Sequence, residues 1–303
     1  MSEATAPNRE IRRILVALDT SVDSEAALAV AAELAAILEA ELIGLHIEDV
    51  NLARLAEHPL SFEVEYFSAR RRHLHGPELE RQLRMQVVQV RRRLLRVSSR
   101  HRLRSSFQTV RGGVLSQLLA GLADADLVGV GARGRARGHG LGSTVEALLG
   151  RGAGPLLVLR RGMRLGHAVY VWHDGTEEGR EALDLALQLL RRESMELTVL
   201  IDAVGERRRR LEKELRQWLD EREVAAALRH LPAWARGAED LALFLRRRGA
   251  GLFVTARRSL GYDRREFGRF LSRLPCPLLV TGHGARENSA AARGWGQERG
   301  EGD

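Results

Sequence analysis

The residues whose types and spacing could do chemistry gather between Asp124 and Arg160. Leu127 to Gly131 is a short apolar run, and Ser143 and Thr144 open a helical one. Between them Gly131, Arg133, Gly134 and Gly142 lie in a segment dense in glycine and arginine. Glycine lets a backbone approach an anion and take positive φ. The first turn of a helix leaves N–H groups without carbonyl partners at the positive end of its dipole. Strand, glycine loop and helix start, in that order, make a cradle for a phosphate, to which the Ser143 or Thr144 hydroxyl and Arg133, Arg135 or Arg137 can add hydrogen bonds. The same residues also read as a surface loop ahead of an ordinary N-cap.

A cradle needs a platform, and the rest of the chain reads as one. Ile14 to Leu18 is an apolar run ending in Asp19-Thr20-Ser21, after which Ala26, Ala27, Val30, Ala31, Leu34 and Leu38 recur at helical spacing. Leu42 to Ile47 is the next strand. Strands this continuously apolar belong to parallel sheets covered by helices on both faces. Glu48 to Gly76 reads as a long irregular connection, suited to a lid or a partner contact and equally to an insertion without function. A helix from Pro77 carries Leu79, Leu83, Val87, Val90, Leu94 and Val97 on one stripe and arginines opposite. Phe107 to Val110, Leu127 to Gly131 and Pro155 to Leu159 complete five parallel strands, with a helix at Val114 to Leu122.

The order then repeats. His167 to Trp172 is an apolar strand ending in Asp174-Gly175-Thr176, and Ala182 and Leu183 stand as far from Asp174 as Ala27 and Leu28 stand from Asp19. Leu197 to Ile201, a charged helix from Glu206 to Arg222, Ala225 to His230, Leu241 to Arg248, Leu252 to Thr255 and Pro277 to Val280 make the second round, and PLLV at Pro155 and at Pro277 closes each half. The organisation expected is a disordered N-terminus over 1–10, one domain over 11–162 with a retained but shortened glycine loop, a degenerate second domain over 163–283, and a disordered tail over 284–303.

Composition narrows the function. The chain has 303 residues, 44% of them hydrophobic and 29% charged, with no apolar run long enough to cross a bilayer. MSEATAPNREIRR contains no apolar signal core, so the expected location is the cytoplasm, and a single cysteine, Cys276, agrees with that. The net charge of +8 comes almost wholly from arginine, since Lys213 is the only lysine. These arginines alternate with glutamate and leucine along helices, the pattern of solvated faces, so nucleic acid is not an expected partner.

With Asp19, the glycine loop and the PLLV strand in view, the chain resembles the universal stress protein family in a tandem, two-domain form over residues 11–283. The resemblance implies a flavodoxin-type doubly wound fold, of the adenine-nucleotide α-hydrolase-like kind with strand order 3-2-1-4-5. It also implies ATP binding through a signature of Gly, two residues, Gly, nine residues, Gly, then Ser or Thr. Gly131-Ala132-Arg133-Gly134 matches its opening and Gly142-Ser143 its end, with seven residues between Gly134 and Gly142 instead of nine. By the same resemblance Asp19 reaches the adenosine moiety and the middle of the second strand, near Ile43 to Leu45, contacts adenine through its backbone. The implied cofactor is ATP with Mg2+. Asp19 also reads as a simple turn or N-cap residue.

In the second half Ala256 stands at the place of Gly131, Ser259 at that of Gly134, and Arg264-Arg265 at that of Gly142-Ser143, so the signature is gone. This half reads as a structural copy that supplies, within one chain, the partner other family members obtain by pairing subunits. A homodimer on top of this internal pair stays open. GxxxxGK[ST] is missing, and no base stands against a nucleophile, so the chain is not expected to be an enzyme; slow ATP hydrolysis or autophosphorylation at Ser143 or Thr144 would be compatible with the sequence. The His73–His75 pair lacks the further ligands of a zinc site, and no metal site is expected. The alternative to nucleotide binding is a nucleotide-free protein-interaction scaffold in the stress response, using the 48–76 insertion and the arginine-lined helix.

Overall fold

The computed structural model describes residues 10–50, 62–64, 71–73, 76–133, 142–151, 154–190, 195–259 and 264–281. Gly134, His75, His139, most of the Glu48–Gly76 connection and the segments expected to be disordered at both ends lie outside the described residues, apart from Glu10. The first half runs β1 (Arg13–Ala17), α1 (Val22–Leu38), β2 (Glu41–Asp49), β3 (Phe62–Val64), β4 (Arg71–His73), α2 (Gly76–His101), β5 (Ser105–Gly112), α3 (Val114–Asp124), β6 (Leu127–Gly131), α4 (Ser143–Arg151) and β7 (Leu156–Leu159). The second runs β8 (Ala168–His173), α5 (Glu177–Leu190), β9 (Glu196–Ile201), α6 (Gly205–Asp220), β10 (Ala226–His230), a 3-10 turn (Ala233–Arg236), α7 (Ala238–Arg247), β11 (Leu252–Ala256), α8 (Arg264–Arg273) and β12 (Leu278–Thr281). The connection read as irregular from Glu48 contains the end of β2 and an antiparallel β3–β4 pair, in register Phe62 to His73. Strands of three residues carry too little pattern to stand out in a sequence.

Ten strands form one sheet in the order β10-β9-β8-β11-β12-β7-β6-β1-β2-β5. Read within each half, this is strand order 3-2-1-4-5 twice. The two sets of five do not stand apart: β12 pairs with β7 antiparallel, Leu279 opposite Leu157, Leu278 opposite Val158 and Val280 opposite Leu156. Leu157 and Leu279 are themselves counterparts, because Gly129 pairs with Leu157 and Val254 with Leu279. The seam is therefore a two-fold junction of like edges, and each half covers the other's last strand, which would otherwise present unpaired N–H and C=O groups. Every other pairing in this sheet is parallel.

The core follows from that layering. Leu156, Leu157, Val158 and Leu159 are all buried, as are Leu252 to Ala256, since helices lie on both faces of these central strands. α1 begins at Ser21, whose hydroxyl accepts from the Ser24 N–H, and stops at Glu39, whose left-handed conformation (φ 53) returns its N–H to the carbonyls of Ala35 and Ala36. Buried alanines, Ala27, Ala31, Ala32 and Ala35, let α1 lie close to the sheet. Gln188 of α5 accepts the Ile11 N–H at 3.1 Å and ties the two halves on that side.

Candidate functional site

In each half the sheet order reverses between the first and fourth strands, so the crevice outside their carboxyl ends is where an open α/β sheet places a ligand. In the first half that crevice is rimmed by Ala17 to Asp19 after β1 and Gly131 to Arg133 after β6. Asp19 sits there half-buried. Its N–H donates to the Ser24 hydroxyl at 3.0 Å, and its Oδ1 accepts the Ser21 N–H at 2.8 Å. Oδ2 has no partner among the described residues. Asp19 is thus both a turn former and the holder of one uncommitted carboxylate oxygen.

Gly131 has a packing reason for being glycine. A Cβ on it would come within 2.9 Å of the Asp23 carbonyl carbon and the Ser24 nitrogen, so the missing side chain makes room for the first turn of α1. Gly142 donates its N–H to Ala132 O at 2.9 Å, and its own carbonyl accepts the Glu146 N–H at 3.1 Å. It therefore caps α4 and closes the ends of the loop on each other, which brings the α4 start beside β6 across a connection two residues shorter than the family pattern. Ser143 is exposed and Thr144 half-buried in the first turn of α4, where N–H groups have no intrahelical acceptor.

Ile43 is not at the rim. It lies buried within β2, opposite Leu15 on one side and Ser106 on the other, so its backbone belongs to the sheet ladder. The rim of β2 is formed instead at His46, 5% exposed, whose Nδ1 donates to Leu18 O at 2.8 Å.

Asp23 is the residue sequence reasoning missed. It is buried in the first turn of α1, and its two oxygens accept the backbone N–H groups of Arg133 (3.2 Å) and Arg161 (2.8 Å). One carboxylate thus clamps the ends of β6 and β7 to the start of α1, a charge-assisted arrangement that also suits the positive end of the helix dipole. The half-buried Arg133 is left without an ion pair among the described residues. Arg160, next to this clamp, donates to Leu274 O at 2.9 Å across the seam. Its pKa is lowered by burial and by the nearby charge of Arg133, against the pull of Asp23.

The second half answers each of these residues differently. Asp174, the counterpart of Asp19, accepts the Thr176 N–H at 3.0 Å and its hydroxyl at 2.5 Å on Oδ1, and the Ser259 hydroxyl at 2.9 Å on Oδ2. Both oxygens are committed. Burial alone would raise the Asp174 pKa, but the Thr176 and Ser259 bonds to the ionised form prevail and lower it. Ser259 stands at the place of Gly134, so a side chain fills the opening that a glycine would leave. Glu178, at the place of Asp23, reaches the Arg258 guanidinium at 3.1 Å. Arg207 of α6 donates to Asp174 O at 2.9 Å. His173 is 1% exposed, and burial lowers its pKa.

Among the described residues no three His, Cys, Asp or Glu side chains are grouped to hold a metal ion, and no helix is long and apolar enough to cross a membrane. Cys276 is buried, and burial pushes its thiol up to about 12, which leaves it protonated and inert.

The sequence profile of the universal stress protein family matches residues 10–160. Through these residues the chain belongs to the universal stress protein family. No curated protein matches it in sequence. A universal stress protein from Archaeoglobus fulgidus DSM 4304 is similar over both halves, covering 90% of this chain and 98% of that one at 13% identity with a TM-score of 0.66. A functionally unknown protein from Pseudomonas aeruginosa PAO1 covers 89% of this chain and 92% of its own at 15% identity, TM-score 0.53. The cytoplasmic domain of a prokaryotic cation chloride cotransporter covers 90% and 95% at 11% identity, TM-score 0.54. At these identities the likeness is one of fold, and it extends through the half that the family profile leaves unmatched.

Proposed function

We propose that the first half binds an adenine nucleotide, ATP with Mg2+, at the carboxyl rim of β1 and β6, and that the chain serves as a regulatory or protective module of the stress response. The supporting observation is the state of one aspartate: Asp19 keeps an oxygen without a partner among the described residues, whereas Asp174 has none to spare. A carboxylate oxygen of this kind suits a ribose hydroxyl. The α4 start, with the amide donors of its first turn and the Ser143 and Thr144 hydroxyls, suits phosphates, and Arg133, without an ion pair among the described residues, is the nearby guanidinium that would complement them. Gly134, outside the described residues, belongs to this reading through the sequence alone.

Calorimetric titration with adenosine, ADP and ATP with magnesium tests it on wild type and on the Arg133→Gln/Thr144→Ala double variant. ATP affinity is expected to fall about ten-fold or more in the variant, since a hydrogen bond to a charged group contributes about 1.5–3 kcal/mol, while adenosine binding stays unchanged. No heat with any nucleotide would overturn the reading and leave the nucleotide-free scaffold.

A further inference from the structure

α2 and α6 hold the same place in the two halves, each following the second strand, yet their outer faces differ. α6 pairs three of its five arginines within itself, Arg209 with Glu206, Arg210 with Glu214 and Arg216 with Glu212, at 2.8, 2.8 and 2.6 Å, and its Leu211, Leu215, Trp218 and Leu219 are buried. α2 does not. It carries seven arginines against two glutamates. Arg93 pairs with Glu25 of α1 and Arg84 with Glu80, but Arg81, Arg91, Arg92, Arg96 and Arg100 have no carboxylate partner among the described residues.

The face of α2 turned to the sheet is filled by Leu79, Val90 and Leu94, which are buried. On the opposite face Met85, Val88 and Leu95 are 63%, 42% and 54% exposed. Residues 81, 85, 88, 92, 95 and 99 follow a spacing of four and three, the a and d positions of a heptad. The apolar three therefore share one seam with Arg81 and Arg92, and Arg84, Arg91 and Arg96 flank it at e and g positions. A seam of this kind is half of a helix pair. A second copy of this chain is a poor occupant, because Arg81, Arg92 and the flanking arginines would face one another.

We propose that the outer face of α2 docks an acidic amphipathic helix of a partner protein, with Met85, Val88 and Leu95 packing against its apolar stripe and the arginines against its carboxylates. The site lies on the opposite side of α2 from the sheet, and it stands whether or not the first half binds a nucleotide.

The probe is a synthetic peptide of about four heptads with Leu at a and d and Glu at e and g, together with a twin carrying Lys in place of Glu. Fluorescence anisotropy measures both against the full chain and against its Met85→Ser/Leu95→Ser variant, whose substitutions fall on exposed positions outside the core. The acidic peptide is expected to bind at least about ten-fold tighter than its twin, about ten-fold weaker to the variant, and progressively weaker from about 0.05 M to about 0.3 M salt. No binding of the acidic peptide, equal binding of the twin, or unchanged affinity in the variant overturns the proposal. So does binding to anionic phosphatidylglycerol vesicles that the variant abolishes while the peptide shows none, which would make the face a membrane contact. A dimer in sedimentation equilibrium that the variant dissolves would assign the face to a second copy and overturn it as well.

Discussion

Asp19 and Asp174 stand at the same point of the same fold, eight residues ahead of matching alanines, and differ only in what surrounds them. Ser24 faces Asp19 where Gly179 faces Asp174, and a Cβ on Gly179 would come within 2.8 Å of His173 Nδ1 and 3.0 Å of Asp174 Oδ1. Ser259 reaches Asp174, whereas Gly134 has no side chain to offer Asp19. A few small replacements thus convert an open carboxylate into a saturated one without altering strand order or register. A crevice is a property of side chains laid on a fold, not of the fold itself.

The comparison breaks most visibly at the clamp. Asp23→Ala would leave the Arg133 and Arg161 N–H groups without acceptors, at about 1–3 kcal/mol each, while Glu178→Ala removes a contact to a largely exposed Arg258 and should cost about 0–1 kcal/mol. Urea unfolding of the two variants compares them, and equal losses would contradict the asymmetry. Next in size is Gly131→Ala. The new Cβ meets backbone at 2.9 Å, so a loss of about 1–3 kcal/mol is expected even without ligand, whereas the second half already holds Ala256 at that place. An unchanged midpoint would return Gly131 to the role of a phosphate contact.

Smaller effects depend on pH. Asp174 is lowered below the ordinary carboxylate value, so it contributes stability that is present above the unfolded pKa and lost as pH falls through the folded one. Wild type should exceed Asp174→Asn in stability at neutral pH, with the gap closing in acid; a gap independent of pH would sink the assignment. His173 carries the smallest effect. Burial lowers its pKa, the Gly179 backbone and Asp174 oppose this, and Arg180 adds to it, so the folded form resists protonation. Its stability is full above the ordinary value of 6.5 and is lost as pH falls from there toward the folded pKa. His173→Leu, which installs what the first half has at Leu18, should lose less stability than wild type over that window in thermal scans.

Apolar runs, their bounding turns and the spacing shared by Asp19 and Asp174 made both rounds of five strands legible in the sequence, because buried parallel strands leave a strong local signal. The seam was not legible. PLLV marks two strand ends, but nothing in a tetrapeptide says that it will meet its own counterpart antiparallel. The site was legible in part. Asp19 and the α4 start fall at the rim, yet nothing in the sequence marks Asp23, since its partners lie 110 and 138 residues away. The packing at Gly131 is hidden for the same reason: the helix that occupies the space of its missing side chain comes from a distant segment. Which part of β2 reaches the rim was not legible, because a strand's middle and its rim differ only by the register of neighbouring strands: Leu45 lies opposite Ala17 and Ile43 opposite Leu15.

The central claim is that the first half alone offers a nucleotide site. Equilibrium dialysis of ATP with magnesium against wild type and the matched variants Asp19→Ala and Asp174→Ala tests it most directly. The account predicts one nucleotide per chain, lost in Asp19→Ala and retained in Asp174→Ala. Two nucleotides per chain, or binding that survives Asp19→Ala and disappears in Asp174→Ala, would contradict it.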